Sequence, residues 1–345
     1  MNEEYKEKEQ QRIDYIDCAK GVGILLVVIG HHLQDSDGVI KWIQSFHVPL
    51  FFIITGYLLV QQNRQTSVKA VINSGAKKLL YPYYAFGILL VVWWRLMGAI
   101  TQAQPEEVIQ NGLLFLTTYG YHALWFLPAM YIANVISKSY KWKNRWCLLI
   151  GAVAVGSALS YAIHSSTGIQ GAWYYVAVYI GRIMLAITFI EIGRIIFLMT
   201  RKLSGAAEWA VCVISLIIVF AGYRENIIVS MAHARIGNPV VFYIVACAGS
   251  IAVLLLCRKL QGKYINRTLT FYGRNSLTVM AIHMDISVEI AWIILGVTGW
   301  NDHLSFQMAS ILVILFEIIF ILPCMITIIN RYGRFLIQMP QIMRK

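Results

Sequence analysis

Long apolar runs recur along this chain and constrain its fold more than any other feature. Each run extends over about 20 residues, the length at which an α-helix crosses the hydrocarbon core of a bilayer. Because a backbone in lipid must satisfy its own hydrogen bonds, such runs are expected to be helical. We predict ten spans, at 15–33, 42–61, 79–100, 122–139, 146–163, 173–199, 208–222, 238–258, 276–298 and 304–330. The predicted fold class is therefore an all-α polytopic membrane protein.

The composition excludes a soluble domain. Hydrophobic residues make up 58% of the 345 residues and charged residues 13%, whereas soluble domains carry about 25% charged residues. The mean hydropathy is +0.63. No change of composition marks a second domain, so we predict a cytoplasmic tail at 1–14, one membrane domain at 15–330 and a cytoplasmic tail at 331–345. The first tail lacks the apolar region of a signal peptide.

Lysine and arginine are concentrated in alternate connections between the predicted spans. The even-numbered connections and the C-terminal tail are basic, whereas the odd-numbered connections carry few basic residues or none. By the positive-inside rule, both termini and the even-numbered connections are cytoplasmic. The net charge of +12 therefore reflects membrane topology, and no nucleic-acid partner is predicted. The six cysteines lie in apolar segments without metal-ligand spacing and are interpreted as small core residues.

The first span carries a cation and a histidine on one face. Lys20 and His31 are eleven residues apart, which is roughly three helical turns and about 16 Å. Polar side chains in a spanning helix are costly unless they face the interior of the bundle, so the pair indicates a functional site. The alternative is a snorkelling lysine and an interfacial histidine.

His31 and His47 flank one short connection and are expected to meet near the outer end of the bundle. Imidazole takes and returns protons near neutrality, as acyl or phosphoryl transfer requires. Only Asp35 and Asp37 could join them as metal ligands, so a metal site is the disfavoured alternative. Pro49 either begins the helix of the second span or frees backbone carbonyls beside the site.

Charged side chains inside the spans predict a polar cavity, because each needs a partner or water at that depth. Asp285 and Glu289 are spaced to share one face of the ninth span, and Glu191 and Arg194 to form an internal ion pair. His283 is expected nearer the cytoplasmic side. The remaining outer histidines are interpreted as ordinary interfacial residues: His164, His233 and His303. An enzyme and a transporter would both need such an interior.

Five motifs follow one another along the chain. They lie at 16–31 (IDCAKG…VIGH), 46–57 (FHVPLFFIITGY), 77–83 (KKLLYPY), 124–128 (LWFLP) and 272–283 (YGRNSL…H). This series resembles the acyltransferase-3 family of integral membrane acyltransferases, especially its O-acetylases of cell-surface sugars. The resemblance extends over essentially all ten predicted spans.

The resemblance implies a membrane O-acyltransferase of the bacterial cell membrane. It would move an acyl group, usually acetyl, from cytoplasmic acyl-CoA to a hydroxyl of a surface glycan, lipid-linked sugar or cell-wall precursor. The expected donor is acetyl-CoA or another acyl-CoA, the expected partners are the sugar acceptor and membrane lipid, and no metal is expected. Some relatives are linked to amino-acid export, so an exporter of a small amino acid or other polar solute is the alternative.

The resemblance also implies roles for individual residues. The first-helix motif of the family is an arginine, ten residues and a histidine; Lys20 and His31 match it with lysine in the first place. Lysine keeps the charge but lacks the planar fork of arginine. The catalytic residues are expected to be His31, as general base or transient acyl carrier, with Lys20 and His47. Expected at the acceptor are Asp17, Tyr57, Trp125, Arg182 and His122. Expected at the CoA entrance are Lys77, Lys78, Arg274, Asn275 and Ser276.

Overall fold

The structure, a computed structural model, describes residues 14–33, 37–61, 67–101, 115–120, 122–140, 144–165, 168–298 and 305–340. Within these residues the regular structure is helical, and the only β pairing is an isolated bridge between Ser230 and Arg235. The all-α fold class is thus confirmed. The α-helices are α1 (Asp14–His32), α2 (Asp37–Gln44), α3 (His47–Gln61), α4 (Val68–Gly75), α5 (Tyr81–Thr101), α6 (Phe126–Ser139), α7 (Arg145–His164), α8 (Ala172–Thr200), α9 (Gly205–Gly222), α10 (Pro239–Lys259), α11 (Tyr264–Arg274), α12 (Ser276–Ile282), α13 (Val288–Val297), α14 (Phe306–Phe316), α15 (Leu322–Arg331) and α16 (Arg334–Ile337).

Short helical turns of other types join several of these helices. π-Helical turns connect α4 to α5, α12 to α13 and α14 to α15, at Ala76–Leu80, His283–Ser287 and Glu317–Ile321. A 3₁₀ turn, His122–Trp125, leads into α6. The π turns keep their flanking helices continuous while changing the direction in which side chains point.

Nine stretches of the described residues are long and apolar enough to cross a membrane. Most agree with a predicted span to within a few residues, and the chain is a multi-pass membrane protein. The third begins earlier than predicted, at Val68, because α4 and the π turn continue into α5. The fourth predicted span, 122–139, is a 3₁₀ turn followed by a helix of 14 residues, which is shorter than a bilayer-crossing helix requires.

Helix α11 lies in the eighth connection, where the sequence shows only a basic segment. It packs against α1 at a crossing where glycine is needed on both sides. A Cβ atom on Gly21 would overlap the carbonyl oxygen of Leu269, and one on Gly273 would overlap that of Asp17. Small residues permit this approach of two helices in a membrane protein. The crossing fixes the start of α12 beside α1.

Ion pairs join the helices at one end of the bundle. We call the end that carries Lys20 the inner end, since the charge pattern predicts it to be cytoplasmic, and the opposite end the outer end. Here Glu191 pairs with Arg194 of its own helix at 3.4 Å, which confirms the predicted internal pair, and with Arg145 of α7 at 3.0 Å. Glu208 pairs with Arg258 at 3.2 Å. The orientation of the bundle in the membrane stays a prediction.

Candidate functional site

A cavity of about 730 Å³ lies inside the bundle. Its walls come from α1, α3, α6, α8 and α12 and from the outer segments at 119–120, 122–125 and 230–233. Lys20 and Ser276 line it at the inner end, and Tyr174 and His233 line it at the outer end. A cavity with this extent suits an elongated ligand, or two ligands that meet inside the bundle.

The predicted pair on the first span faces this cavity. Lys20 and His31 both line it, as their helical spacing predicts, and Lys20 Nζ lies 3.3 Å from Asp17 Oδ1. The His31 ring packs against that of His283, with the ring centroids 5.1 Å apart. His283 therefore lies at the depth of His31, which corrects the expectation that it lies nearer the cytoplasmic side.

A backbone carbonyl at the break between helices α2 and α3 holds His47 in one tautomer. Its Nδ1 lies 2.8 Å from the carbonyl oxygen of Ile43, and because a carbonyl only accepts, Nδ1 carries the proton in the neutral ring. Nε2 is then the basic nitrogen of a side chain that lines the cavity. Pro49 lies in the first turn of α3, where its missing N–H leaves no helical bond unmade. The proline is thus a helix-start residue, and the break before it provides the carbonyl that orients His47.

A carboxylate holds a third cavity histidine. His122 Nδ1 lies 2.6 Å from Asp285 Oδ1, and Trp94 Nε1–H donates to the same oxygen at 2.9 Å. Asp285 is 5% exposed, whereas His122 lines the cavity. Glu289, the predicted neighbour of Asp285, accepts from Trp93 Nε1–H at 2.7 Å. Both carboxylates are therefore satisfied by tryptophans of α5.

Arg182 forms a positive part of the cavity wall. Its Nε–H donates to the carbonyl oxygen of Ala232 at 2.5 Å and its Nη1–H to that of Tyr119 at 2.7 Å. The guanidinium carbon lies 4.3 Å from the centroid of the Tyr119 ring and 5.2 Å from that of Trp125. Among the described residues no carboxylate lies within ion-pair distance of it. A guanidinium in such surroundings favours a polar or anionic ligand nearby.

The inner mouth of the cavity has basic residues next to it. Leu79 and Ser276 line the cavity. Lys77 and Lys78 are exposed and lie in the same π turn as Leu79. Three of the residues expected at the CoA entrance therefore lie at or beside this mouth.

The other two expected entrance residues make contacts within the protein. Arg274 pairs with Asp14 at 3.0 Å and with Asp17 at 3.4 Å, so part of its charge is neutralised. Asn275 accepts a hydrogen bond from the side chain of Asn330 at 2.9 Å and is not part of the cavity wall. Asp17 pairs with Lys20 and Arg274 and is not part of the cavity wall, so its role at the acceptor stays a prediction.

Tyr57, also expected at the acceptor, lies away from the cavity wall. It is buried, and its hydroxyl lies 3.0 Å from the Tyr15 hydroxyl and 3.0 Å from Arg258 Nη2. It therefore connects the inner ends of α1, α3 and α10 and does not face the cavity. By contrast, Trp125, Arg182 and His122 all line the cavity, and their role at the acceptor stays a prediction.

Several residues that line the cavity at its outer end are not predicted by the sequence. His233 was expected to be an ordinary interfacial residue, but it lines the cavity together with Tyr119, Tyr174 and Tyr175. Its Nδ1 lies 2.9 Å from Ser230 Oγ, and burial with the nearby positive Arg182 lowers the pKa of His233. Tyr174 and Tyr175 lie two turns before Arg182 on α8, and this pair was the sequence signal for an aromatic wall near the arginine. His303, Asp35 and the side chain of Asp37 lie outside the described residues.

The family model described as an acyltransferase domain (Acyl_transf_3) matches residues 13–330. The nodulation protein NolL of Mesorhizobium japonicum is 32% identical over 155 residues, which are 41% of this chain and 40% of that protein. The NolL protein of Sinorhizobium fredii is 28% identical over 154 residues, 40% of each chain. The chain thus spans about 40% of the length of these curated relatives. No solved structure matches it.

Proposed function

The chain belongs to the acyltransferase-3 family, whose model covers residues 13–330, and from this we propose that it is a membrane O-acyltransferase. An acyl group, most simply acetyl, passes from acyl-CoA at the inner end to a hydroxyl of a surface glycan, lipid-linked sugar or cell-wall precursor at the outer end. The observation that carries this proposal is one cavity lined by Lys20 at one end and, further along, by His31, His47 and His122.

Basic side chains at the inner mouth suit the donor. CoA is a polyanion, and the exposed Lys77 and Lys78 lie where its phosphates would arrive. Lys20 extends this positive region into the cavity. The gap of about 16 Å between Lys20 and His31 along α1 is one that an extended pantetheine arm can bridge. Arg274 contributes less, because two carboxylates already pair with it.

The histidines suit the chemistry. Transfer of an acyl group from a thioester to a hydroxyl requires a base that removes the hydroxyl proton. It can also use a nucleophile that attacks the acyl carbon and carries the acyl group. His31 lines the cavity, and its proposed role is that of general base or transient acyl carrier. The acceptor would be oriented by Arg182 and the aromatic ring of Trp125, which lie together on the wall.

A transporter of a small polar solute is the second candidate. The buried charge of Arg182 and an elongated cavity within the bundle would serve a transporter as well. The enzyme is favoured because a solute carrier has no need of exposed lysines beside one mouth together with several cavity-facing histidines.

The test uses inside-out membrane vesicles from the native cells, which present the inner face to added radiolabelled acetyl-CoA. The readout is alkali-labile label in the lipid and glycan fractions, so the acceptor need not be known. His31→Ala is expected to lower labelling by at least about 100-fold, the usual effect of losing a general base or nucleophile. The matched control is His164→Ala, an exposed histidine outside the cavity wall, which should label like the wild type.

Two results would contradict the proposal. One is full labelling by a His31→Ala variant that accumulates normally in the membrane. The other is a wild-type protein that transfers no label from acetyl-CoA but moves a free amino acid across proteoliposomes, which would establish the transporter.

A further inference from the structure

One π-helical turn contacts two of the cavity histidines. In the turn His283–Ser287, His283 packs against His31 and Asp285 bonds to His122. A π turn inserts one extra residue into a helix and is frequent at functional sites. One element therefore contacts both His31 and His122 from behind the cavity wall.

His122 has the surroundings of a general base. Its Nδ1–H donates to Asp285, so in the neutral ring Nε2 is the nitrogen that accepts a proton. The carboxylate also stabilises the imidazolium that forms when Nε2 is protonated. Asp285 is itself held in place, since Trp94 donates to the same oxygen. In addition, His122 has a φ of +44°, a strained conformation for a residue other than glycine that is common at active sites.

His31 has different surroundings. Its neighbour His283 uses Nδ1–H on the carbonyl oxygens of Val279 and Met280, each at 3.0 Å. His283 Nε2 is buried without a hydrogen-bond partner in the described residues. No carboxylate among those residues lies within ion-pair distance of His31. A neutral imidazole in such a setting suits nucleophilic attack better than the holding of a proton.

We propose that the two histidines divide the acyl transfer, an inference that rests on the proposed function. His31 is the acyl carrier, His122 is the general base for the acceptor hydroxyl, and Asp285 is the positioning residue of His122. The placement of both histidines on the wall of one cavity, with one π turn behind them, carries this assignment.

The first step acylates His31. The unprotonated ring nitrogen of His31 attacks the thioester carbonyl, a C–N bond forms and the C–S bond breaks. The CoA thiolate leaves and takes the proton of the other His31 ring nitrogen, so that free CoA and a neutral acyl-imidazole result.

The second step transfers the acyl group to the acceptor. His122 Nε2 removes the hydroxyl proton as the acceptor oxygen attacks the acyl carbon. The ester C–O bond forms, the C–N bond to His31 breaks, and the proton passes from His122 to His31. Both rings return to their starting state, and the net reaction is thioester plus alcohol giving ester plus thiol.

The experiment separates these two steps. Exchange of radiolabelled CoA into acetyl-CoA needs only the first step, whereas label transfer to the vesicle acceptor needs both. Asp285→Asn removes the carboxylate that orients His122, so transfer is expected to fall by at least about 100-fold while exchange stays near the wild-type rate. Asp285→Glu, which keeps the carboxylate, is expected to recover part of the transfer activity.

The chain offers a matched control in Glu317→Gln. Glu317 Oε2 lies 2.6 Å from His32 Nε2, the same distance as in the Asp285 pair, but neither side chain lines the cavity. This substitution is expected to lower exchange and transfer by one common factor, set by the amount of folded protein. The same common loss in Asp285→Asn would overturn the proposal, since it would show a purely structural carboxylate. Transfer without exchange in the wild type would also overturn it, because His31 would then carry no acyl group, although the proposed function would stand.

Discussion

At the residue scale, the surroundings of a histidine decide what it can do. His31, His32, His47 and His122 have the same side chain and lie at the same half of the bundle. His32 is buried against Glu317 and has no access to the cavity, whereas the other three line it. Of those three, His47 is oriented by a backbone carbonyl and His122 by a carboxylate. The role of each histidine therefore depends on its hydrogen-bond partner and on its access to the cavity, not on the residue type alone.

Lys20 gives a prediction at this scale, because it stands where the family has arginine. Its single described ion pair is with Asp17, so we expect it to act as a point charge and not through a planar fork. Lys20→Arg should retain most acetyl transfer and Lys20→Ala should lose most of it. Labelling rates and the apparent Kd for acetyl-CoA measure this. An arginine variant as inactive as the alanine variant would show that the geometry of lysine is required.

At the element scale, the cavity depends on how closely α3 and α8 approach. A Cβ atom on Gly56 would overlap the carbonyl oxygen of Ile190, and one on Gly193 would overlap that of Ile53. Backbone atoms cannot move aside as a flexible side chain can, so any side chain here would separate the helices. Because α3 carries His47 and α8 carries Arg182, this crossing sets the distance between two walls of the cavity.

The prediction at this crossing is that Gly193→Ala destabilises the protein. The free energy of unfolding should fall by about 1–3 kcal/mol, the usual cost of overpacking, and acyl transfer should fall with it. The control is Gly151→Ala on α7, where an added Cβ meets nothing within 4 Å; its stability should be unchanged or slightly raised. Thermal unfolding in detergent measures both. A Gly193→Ala protein as stable as the wild type would show that α3 and α8 can separate without cost.

At the scale of the whole molecule, the proposed reaction depends on the orientation of the bundle. The charge pattern predicts that the connection at 164–173 is outside and that at 138–146 is cytoplasmic. A reporter enzyme that is active only outside the cytoplasm should therefore be active when fused into the first and inactive in the second. The reverse result would place His31 near the cytoplasm and the cavity mouth beside Lys77 and Lys78 outside. Cytoplasmic CoA could then not reach that mouth.

The sequence by itself determined the features that depend on neighbouring residues. Hydropathy over about 20 residues gave the spans, since the thickness of the bilayer fixes the length of a helix that crosses it. Helical periodicity placed Lys20 and His31 on one cavity-facing side of α1, and the spacing of Glu191 and Arg194 predicted their ion pair. The order of five short motifs led to the family, which the match over 13–330 bears out.

Only the tertiary structure decided which distant residues meet. Asp285 and His122 are separated by 163 positions, and the i, i+4 spacing of Asp285 and Glu289 predicts a shared face but not their tryptophan and histidine partners. Tyr57 belongs to a family motif, but it packs at the inner end against Arg258. His233 looks interfacial but lines the cavity. Local periodicity fixes the face of a helix on which a side chain lies, whereas the packing of helices far apart in the chain fixes what that face meets.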